Sequence, residues 1–410
     1  MEDLNAGGTA GIRFCPVPEY VTVFRGGFSF AFSRDRKTIQ EGKEKCELEM
    51  ISGVRKKETV CIREILEKDL FGTPVKMNGA VHTIRDMGEV AFVILRKADG
   101  LVQCVFEEGV TKFDLKNLKE ESAVEITGIV TKEQRAPHGF EIRLEEIRIL
   151  SEPAKAMPIA ISKYKMNTSL ETKLSLRPIS LRNVRERAKF KIQEGLVRGF
   201  RDYLHGQGFT EIHTPKIVAR GAEGGSNVFK LDYFNKKAEL GQSPQFYKQT
   251  MVGVYDRVFE AAPVFRAEKH NTTRHLNEYV SLDFEMGYID GFEDIMEMEA
   301  GFLKYTFELL EREYEKELKM LDVTLPRVDF IPAVRFDKAK ELVAGKYNRK
   351  IRTPYDLEPE EELLIGQYVN CLLYTSPSVM VDFWLISAAV SSVGLIRPPL
   401  ISKKWMWPLW

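Results

Sequence analysis

Three segments of this 410-residue chain bring together residue types that could do chemistry. One begins Val264-Phe265-Arg266-Ala267-Glu268, passes through Lys269 and His270 to Thr273-Arg274-His275, and returns as Leu276-Asn277-Glu278-Tyr279-Val280-Ser281-Leu282-Asp283-Phe284-Glu285-Met286. Side chains alternate faces along a strand, so Arg266 and Glu268 share one face, and Tyr279, Ser281, Asp283 and Glu285 share one face of the returning strand. Two such strands offer a guanidinium, an aromatic ring and several carboxylates on one surface. Buried charges are costly unless they are paired or used by a ligand or metal, so this density favours a site over structural ion pairs. A second segment, Gln242-Ser243-Pro244-Gln245-Phe246-Tyr247-Lys248-Gln249, groups amides, a hydroxyl and an ammonium around a proline-fixed turn. It could hold a small polar ligand, with Lys248 matching a carboxylate, or it could be a solvated turn. The third, Gly208-Phe209-Thr210-Glu211-Ile212-His213-Thr214-Pro215, reads only as a helix running into a strand that stops at proline.

These segments need elements to hold them. Asn183 is placed to cap a helix, with Glu186 as its capping-box partner. Val184, Ala188, Ile192, Leu196, Phe200 and Leu204 then recur at helical spacing until Gly206 and Gly208. Strands are expected around Val228–Leu231, Arg257–Phe265 and Tyr279–Tyr288, and a second long helix from Phe292 to about Leu318. This order predicts an α+β fold, an antiparallel sheet flanked by helices. Ahead of it, about five short alternating runs between Gly72 and Leu150, with a tight turn at Ala98-Asp99-Gly100-Leu101 and a helical patch near Phe113–Lys119, predict a small OB-type β-barrel. Prolines 153, 158 and 178 mark residues 151–180 as a hinge.

Composition narrows the function classes. Sixty basic residues balance sixty acidic ones, which argues against indiscriminate coating of nucleic acid. Five scattered cysteines with no C-x-x-C pair fit a reducing cytoplasm rather than a disulfide scaffold or structural zinc. No apolar leader is visible. The apolar run from Val379 to Ile396 contains Asp382 and serines and makes a poor membrane span.

In this order and spacing the three segments resemble the class II aminoacyl-tRNA synthetases, in the subgroup with an N-terminal OB anticodon-binding domain. Aspartate–tRNA ligases of the archaeal and short bacterial type are the nearest likeness, over about residues 50–368. The resemblance implies ATP and Mg²⁺ as substrate and cofactor, L-aspartate and tRNA-Asp as substrates, and a homodimer formed through Gly208–Pro215. It implies that Arg266 grips the α-phosphate and the attacking carboxylate, that Glu268 accepts from the adenine amino group, and that Tyr279 stacks on adenine. Arg274 and His275 reach the γ-phosphate, and Glu285 holds Mg²⁺. Glu223, on a loop over the substrate, and Gln245 bind the α-ammonium; Gln242 and Ser243 complete the pocket, Lys248 takes the side-chain carboxylate and Asp283 contacts the amino acid. Lys248 is expected to reject asparagine, because an amide would leave a desolvated ammonium unpaired. In the barrel, Phe92 and Gln103 are the pair implied to stack on and hydrogen-bond the central anticodon base, although Phe92 also reads as a core residue. His82 occupies a position where relatives restricted to the aspartate anticodon often carry Trp, which implies charging of tRNA-Asn as well. Asparagine–tRNA ligase and a non-catalytic tRNA-binding paralogue are the rival readings.

The domain organisation expected is a non-native or disordered extension over 1–49, the anticodon barrel over 50–150, the hinge over 151–180, the catalytic domain over 181–368 and an aberrant tail over 369–410. The tail holds all four tryptophans, and no Gly-rich strand and helix carrying the third arginine motif is found; Gly394-Leu395-Ile396-Arg397-Pro398-Pro399 lacks the glycines, and its prolines forbid a helix. The catalytic sheet is therefore expected to be incomplete and the 410-residue chain to have little or no activity. Aspartate-dependent ATP–pyrophosphate exchange by the purified chain should stay at background, and measurable exchange would refute this expectation.

Overall fold

The computed structural model describes residues 22–25, 28–31, 58–221, 228–267, 276–326, 328, 335–352, 358, 360–361 and 364–365. The expectations for 369–410 lie outside the described residues, as do those for most of 1–49. Residues 1–58 form one unit, in which β1 (Thr22–Arg25) and β2 (Phe28–Ala31) make an antiparallel pair; residues 59–410 form the other.

The second unit starts with α1 (Ile62–Glu67) and five strands: β3 (Pro74–Asp86), β4 (Val90–Arg96), β5 (Leu101–Glu107), β6 (Ala123–Lys132) and β7 (Phe140–Ser151). They close as a barrel in the order β3-β4-β5-β7-β6. Alternation is the reason: Ala91, Val93 and Leu95 of β4 and Val102, Cys104 and Phe106 of β5 point inward to one apolar core. Strand β3 serves both sides of the closure, pairing with β6 up to Ala80 and with β4 beyond it, with a bulge between Val81 and Thr83. The Asp99-Gly100 turn forms as expected, Lys97 N–H donating to Gly100 O. The patch near Phe113–Lys119 is only a 3-10 turn, Leu115–Asn117.

The expected hinge contains α2 (Leu170–Ser175) and α3 (Arg177–Ser180). Helix α4 (Val184–Gly206) follows, capped by Asn183, whose side-chain oxygen accepts from Arg185 N–H at 3.0 Å and Glu186 N–H at 3.1 Å. All six of its expected inward residues are buried. Phe200 is fully buried and meets Phe259 and Phe302 edge to face at 5.5 and 5.1 Å, a burial that contributes about 1.5–3 kcal/mol. Next come β8 (Thr210–Glu211), β9 (Ile217–Val218), β10 (Lys230–Tyr233), β11 (Lys236–Leu240), α5 (Gln245–Tyr255), β12 (Arg257–Phe265) and β13 (Glu278–Met286). The strand expected at Val228–Leu231 thus lies two residues later. Helix α6 (Phe292–Glu313) is followed by α7 (Glu315–Leu321) and α8 (Phe336–Tyr347).

Two sequence expectations need correction. The long second helix breaks at Tyr314, whose backbone leaves the helical region so that its buried ring lies against Gly195 of α4. The catalytic sheet is mixed: β12 pairs antiparallel with β13 but parallel with β8. No described helix is long and apolar enough to cross a membrane.

Barrel closure depends on a close approach at Gly128, where β6 slips register against β7 and an added Cβ would sit 2.2 Å from Arg143 O. Gly128→Ala should therefore lower unfolding free energy by about 1–3 kcal/mol, read from the urea midpoint at unchanged m-value.

Candidate active site

The β12–β13 pair builds the floor of the site. Its register sets Val258 opposite Glu285, Glu260 opposite Asp283, Ala262 opposite Ser281 and Val264 opposite Tyr279. Alternation sends Leu282, Phe284 and Met286 down into the apolar core against α4 and α6. Tyr279, Ser281, Asp283 and Glu285 then share the other face, and all four are buried. Arg266 continues β12 by donating its backbone N–H to Asn277 O at 2.9 Å, and its side chain is buried too.

Helix α5 supplies the counter-charge. Lys248, entirely buried, places Nζ 3.0 Å from Asp283 Oδ1 and 3.6 Å from Glu285 Oε2. Pro244 is the N-cap of α5, so Gln245 and Lys248 lie one turn apart on the same side. Gln242 is completely buried, so the turn is not the solvated one that its composition allowed. Burial pushes the Glu285 carboxyl above its ordinary range, and the opposing pull of Lys248 and Gln245 does not cancel it. Neither Glu285 oxygen has a hydrogen-bond donor in geometry, and Gln245 Oε1 is buried without a partner.

Lys248 is already paired, with Asp283, so an amide ligand would not leave a naked ammonium. An ammonium has three donors, and the one hydrogen bond of Lys248 among the described residues goes to Asp283.

Of the other expected residues, Ser243 Oγ accepts from Gln245 N–H at 3.2 Å, ordering the turn. Tyr279 is 1% exposed, packed with Val264 and Leu276, so its ring presents no open face. Glu223, Glu268, Arg274 and His275 lie outside the described residues. Glu260 was missed: it is buried and accepts from Thr214 N–H, Thr214 Oγ1 and Lys216 Nζ at 2.7, 2.8 and 2.8 Å. This knot fixes the Thr214-Pro215 corner to the floor. The only hint in sequence was a lone carboxylate inside the apolar run of β12.

In the barrel, Phe92 and Gln103 both point outward on adjacent strands as diagonal neighbours, since Phe92 faces Val105 and Gln103 faces Ile94. Phe92 is half-buried rather than core, and Gln103 Nε2 donates to Glu141 Oε2 at 3.0 Å. His82 is different. It sits at the β3 bulge, is 3% exposed, and its Nδ1 lies 3.2 Å from Arg96 Nη1. Its burial leaves the ring no surface for the anticodon contact implied by the resemblance.

The family model for class II tRNA synthetases of the D, K and N type matches residues 169–385, and the model for the OB-fold nucleic acid binding domain matches 75–150. The chain belongs to the class II tRNA synthetases. The first match runs past Tyr368. An aspartate–tRNA(Asp/Asn) ligase of Deinococcus radiodurans is 46% identical over 298 residues, 72% of this chain and 67% of that protein. An aspartate–tRNA(Asp) ligase of Pyrococcus furiosus is 37% identical over 336 residues, 78% of this chain and 76% of that one. The solved asparaginyl-tRNA synthetase of Pyrococcus horikoshii with asparaginyl-adenylate aligns with a TM-score of 0.69 at 30% identity, covering 76% of this chain and 72% of its own. The family uses ATP.

Because the folded-state Glu285 pKa is raised, its carboxyl costs stability as pH climbs from the unfolded pKa through the folded one. Glu285→Gln should therefore gain thermal stability relative to the wild type as pH rises from about 4 to 7, and a difference that is flat or falls with pH would contradict the raised value.

Proposed function

We propose that this chain carries the L-aspartate, ATP and tRNA-Asp sites of an aspartate–tRNA ligase, an enzyme that forms aspartyl-adenylate and passes the aspartyl group to the 3′ end of tRNA-Asp; on the reading of residues 369–410 given above, its own turnover stays at background. The observation that carries the reading is the buried Lys248 beside Asp283 and Glu285, one helical turn into α5 from Gln245. A lysine there suits the carboxylate of aspartate, with Asp283 holding the ammonium in place. Arg266 is the group to bridge the α-phosphate and the attacking carboxylate, because its fork matches two oxygens at fixed geometry. The reaction is an in-line displacement at phosphorus, so these residues act by positioning and by neutralising charge. Glu268, Arg274, His275 and Glu223 are assigned by the family's motifs to adenine, the γ-phosphate and the α-ammonium. Tyr279 can stack on adenine only if the chain around Leu276 withdraws from it.

Glu285 fits a magnesium donor in one respect, its two oxygens being buried without hydrogen-bond donors. Mg²⁺ is commonly held by one or two carboxylates plus substrate phosphates, and it would supply charge neutralisation there. Among the described residues no group of three acidic, His or Cys side chains is placed to hold a metal, and substrate phosphates would be expected to share the ion with Glu285.

Pairing of two chains through α4 and β8 and a cytoplasmic setting complete the reading. The names of the Deinococcus and Pyrococcus furiosus relatives differ on tRNA-Asn, and with His82 buried, relaxed selection here cannot rest on a direct contact by that residue. Asparagine as the substrate is the second reading, supported by the asparaginyl-adenylate bound in the Pyrococcus horikoshii relative.

The anticodon half of the proposal is tested by tRNA retention on filters. Phe92→Ala should weaken tRNA-Asp binding roughly 5- to 150-fold, the worth of one stacked base. Unchanged binding would remove Phe92 from the interface.

A further inference from the structure

The barrel and the catalytic domain have separate apolar cores, so hydrophobic packing does not run continuously between them. Near Glu121 they face each other across a cleft of about 490 Å³, bordered by Glu121, Ser151, Pro153, Met157, Ile179 and Arg182. Glu121 bridges it. Its side chain is 2% exposed and takes both nitrogens of Arg96 from β4, at 2.5 and 2.8 Å, on the barrel side. The same carboxylate accepts from Arg182 Nη1, at 2.8 Å, just ahead of the cap of α4. The two guanidiniums hold its carboxyl below the ordinary range, outweighing the burial that would raise it.

The backbone fixes this carboxylate as firmly as the ion pairs do. Glu121 lies in the left-handed region at φ 70°, donates its N–H to Val81 O at 2.7 Å, and is followed by Ser122, whose carbonyl accepts from Val81 N–H at 2.9 Å. A strained non-glycine residue persists only where its surroundings over-determine it. Arg96 is also tied to His82 at the β3 bulge. Along β4, Phe92, Ile94 and Arg96 share the outward face, so the proposed base-stacking ring and the bridge lie on one rigid strand, roughly 13 Å apart.

We infer that Glu121 is a positioning residue for tRNA, a clasp that fixes the angle of the anticodon barrel relative to α4 so that one tRNA can meet both domains. It touches neither the anticodon nor the reacting atoms. The inference rests on the reading above that Phe92 faces the anticodon. It gives buried His82 an indirect part: the ring orients Arg96, and through Arg96 the clasp.

Arg182→Ala removes the bridge on the catalytic side and leaves the Arg96–Glu121 pair of the barrel in place; Glu121→Gln is the second variant. With Arg182→Ala, full-length tRNA-Asp should bind about tenfold more weakly, an isolated anticodon stem–loop should bind as in the wild type, and the salt dependence should keep its slope. Equal loss for both RNAs would mean barrel damage, and loss for neither would mean an idle ion pair. A slope reduced by about one would make Arg182 a phosphate contact instead. Each of these three results overturns the clasp. If wild-type protein binds neither RNA, it is the functional reading that fails. Small-angle scattering of the free protein then decides the clasp alone: Arg182→Ala should broaden the distance distribution, and an unchanged profile would overturn it.

Discussion

A lysine with no exposed surface, held between two buried carboxylates, is the constraint around which the catalytic half is organised. An ammonium at that depth is tolerated only if it is paired with good geometry, because breaking one partner of a buried pair costs about 3–5 kcal/mol. The pairing needs three things at once. Helix α5 must start at Pro244 so that Lys248 points inward, β13 must run straight so that Asp283 and Glu285 fall on one face, and β12 must hold β13 in register. The core beneath, from Phe200 to Phe302, exists on the opposite face of the same strand. The chemistry above and the packing below are thus two sides of one alternation.

Charge is balanced locally throughout. Glu260 absorbs Lys216 and two donors from Thr214, Glu121 absorbs Arg96 and Arg182, and Asp283 absorbs Lys248. Each buried carboxylate ties together stretches of chain that are distant in sequence. Glu285 departs from this: its burial outweighs its partners and its oxygens keep their lone pairs available. A group held that way is unfavourable for stability and suited to binding, the usual sign of a functional position.

Much of this was legible in the residues. Helix α4 reads directly from six apolar positions at helical spacing and from Asn183, because local propensity and burial agree there. The barrel reads from strict alternation on β4 and β5. The paired faces of β13 read the same way, and the family match gives the assignments their chemistry. What escaped was set by partners distant in sequence. His82 is buried against Arg96 at the β3 bulge, and nothing in Val81-His82-Thr83 signals it. Tyr314 breaks the second long helix because its ring has a place over Gly195, more than a hundred residues away. Glu260 draws its meaning from the register that sets it opposite Asp283 and from its bonds to Thr214 and Lys216. The pairing of Lys248 with Asp283 is a fact of tertiary structure that no local pattern announces.

The account stands on Lys248 choosing a carboxylate while already paired. Calorimetric titration of the 410-residue protein with non-hydrolysable sulfamoyl analogues of aspartyl- and asparaginyl-adenylate tests this most directly. The account predicts that the aspartyl analogue binds at least about tenfold tighter, a difference of roughly 1.4 kcal/mol. Equal affinity, or a preference for the asparaginyl analogue, would contradict it and leave the pair with Asp283 as the whole role of Lys248.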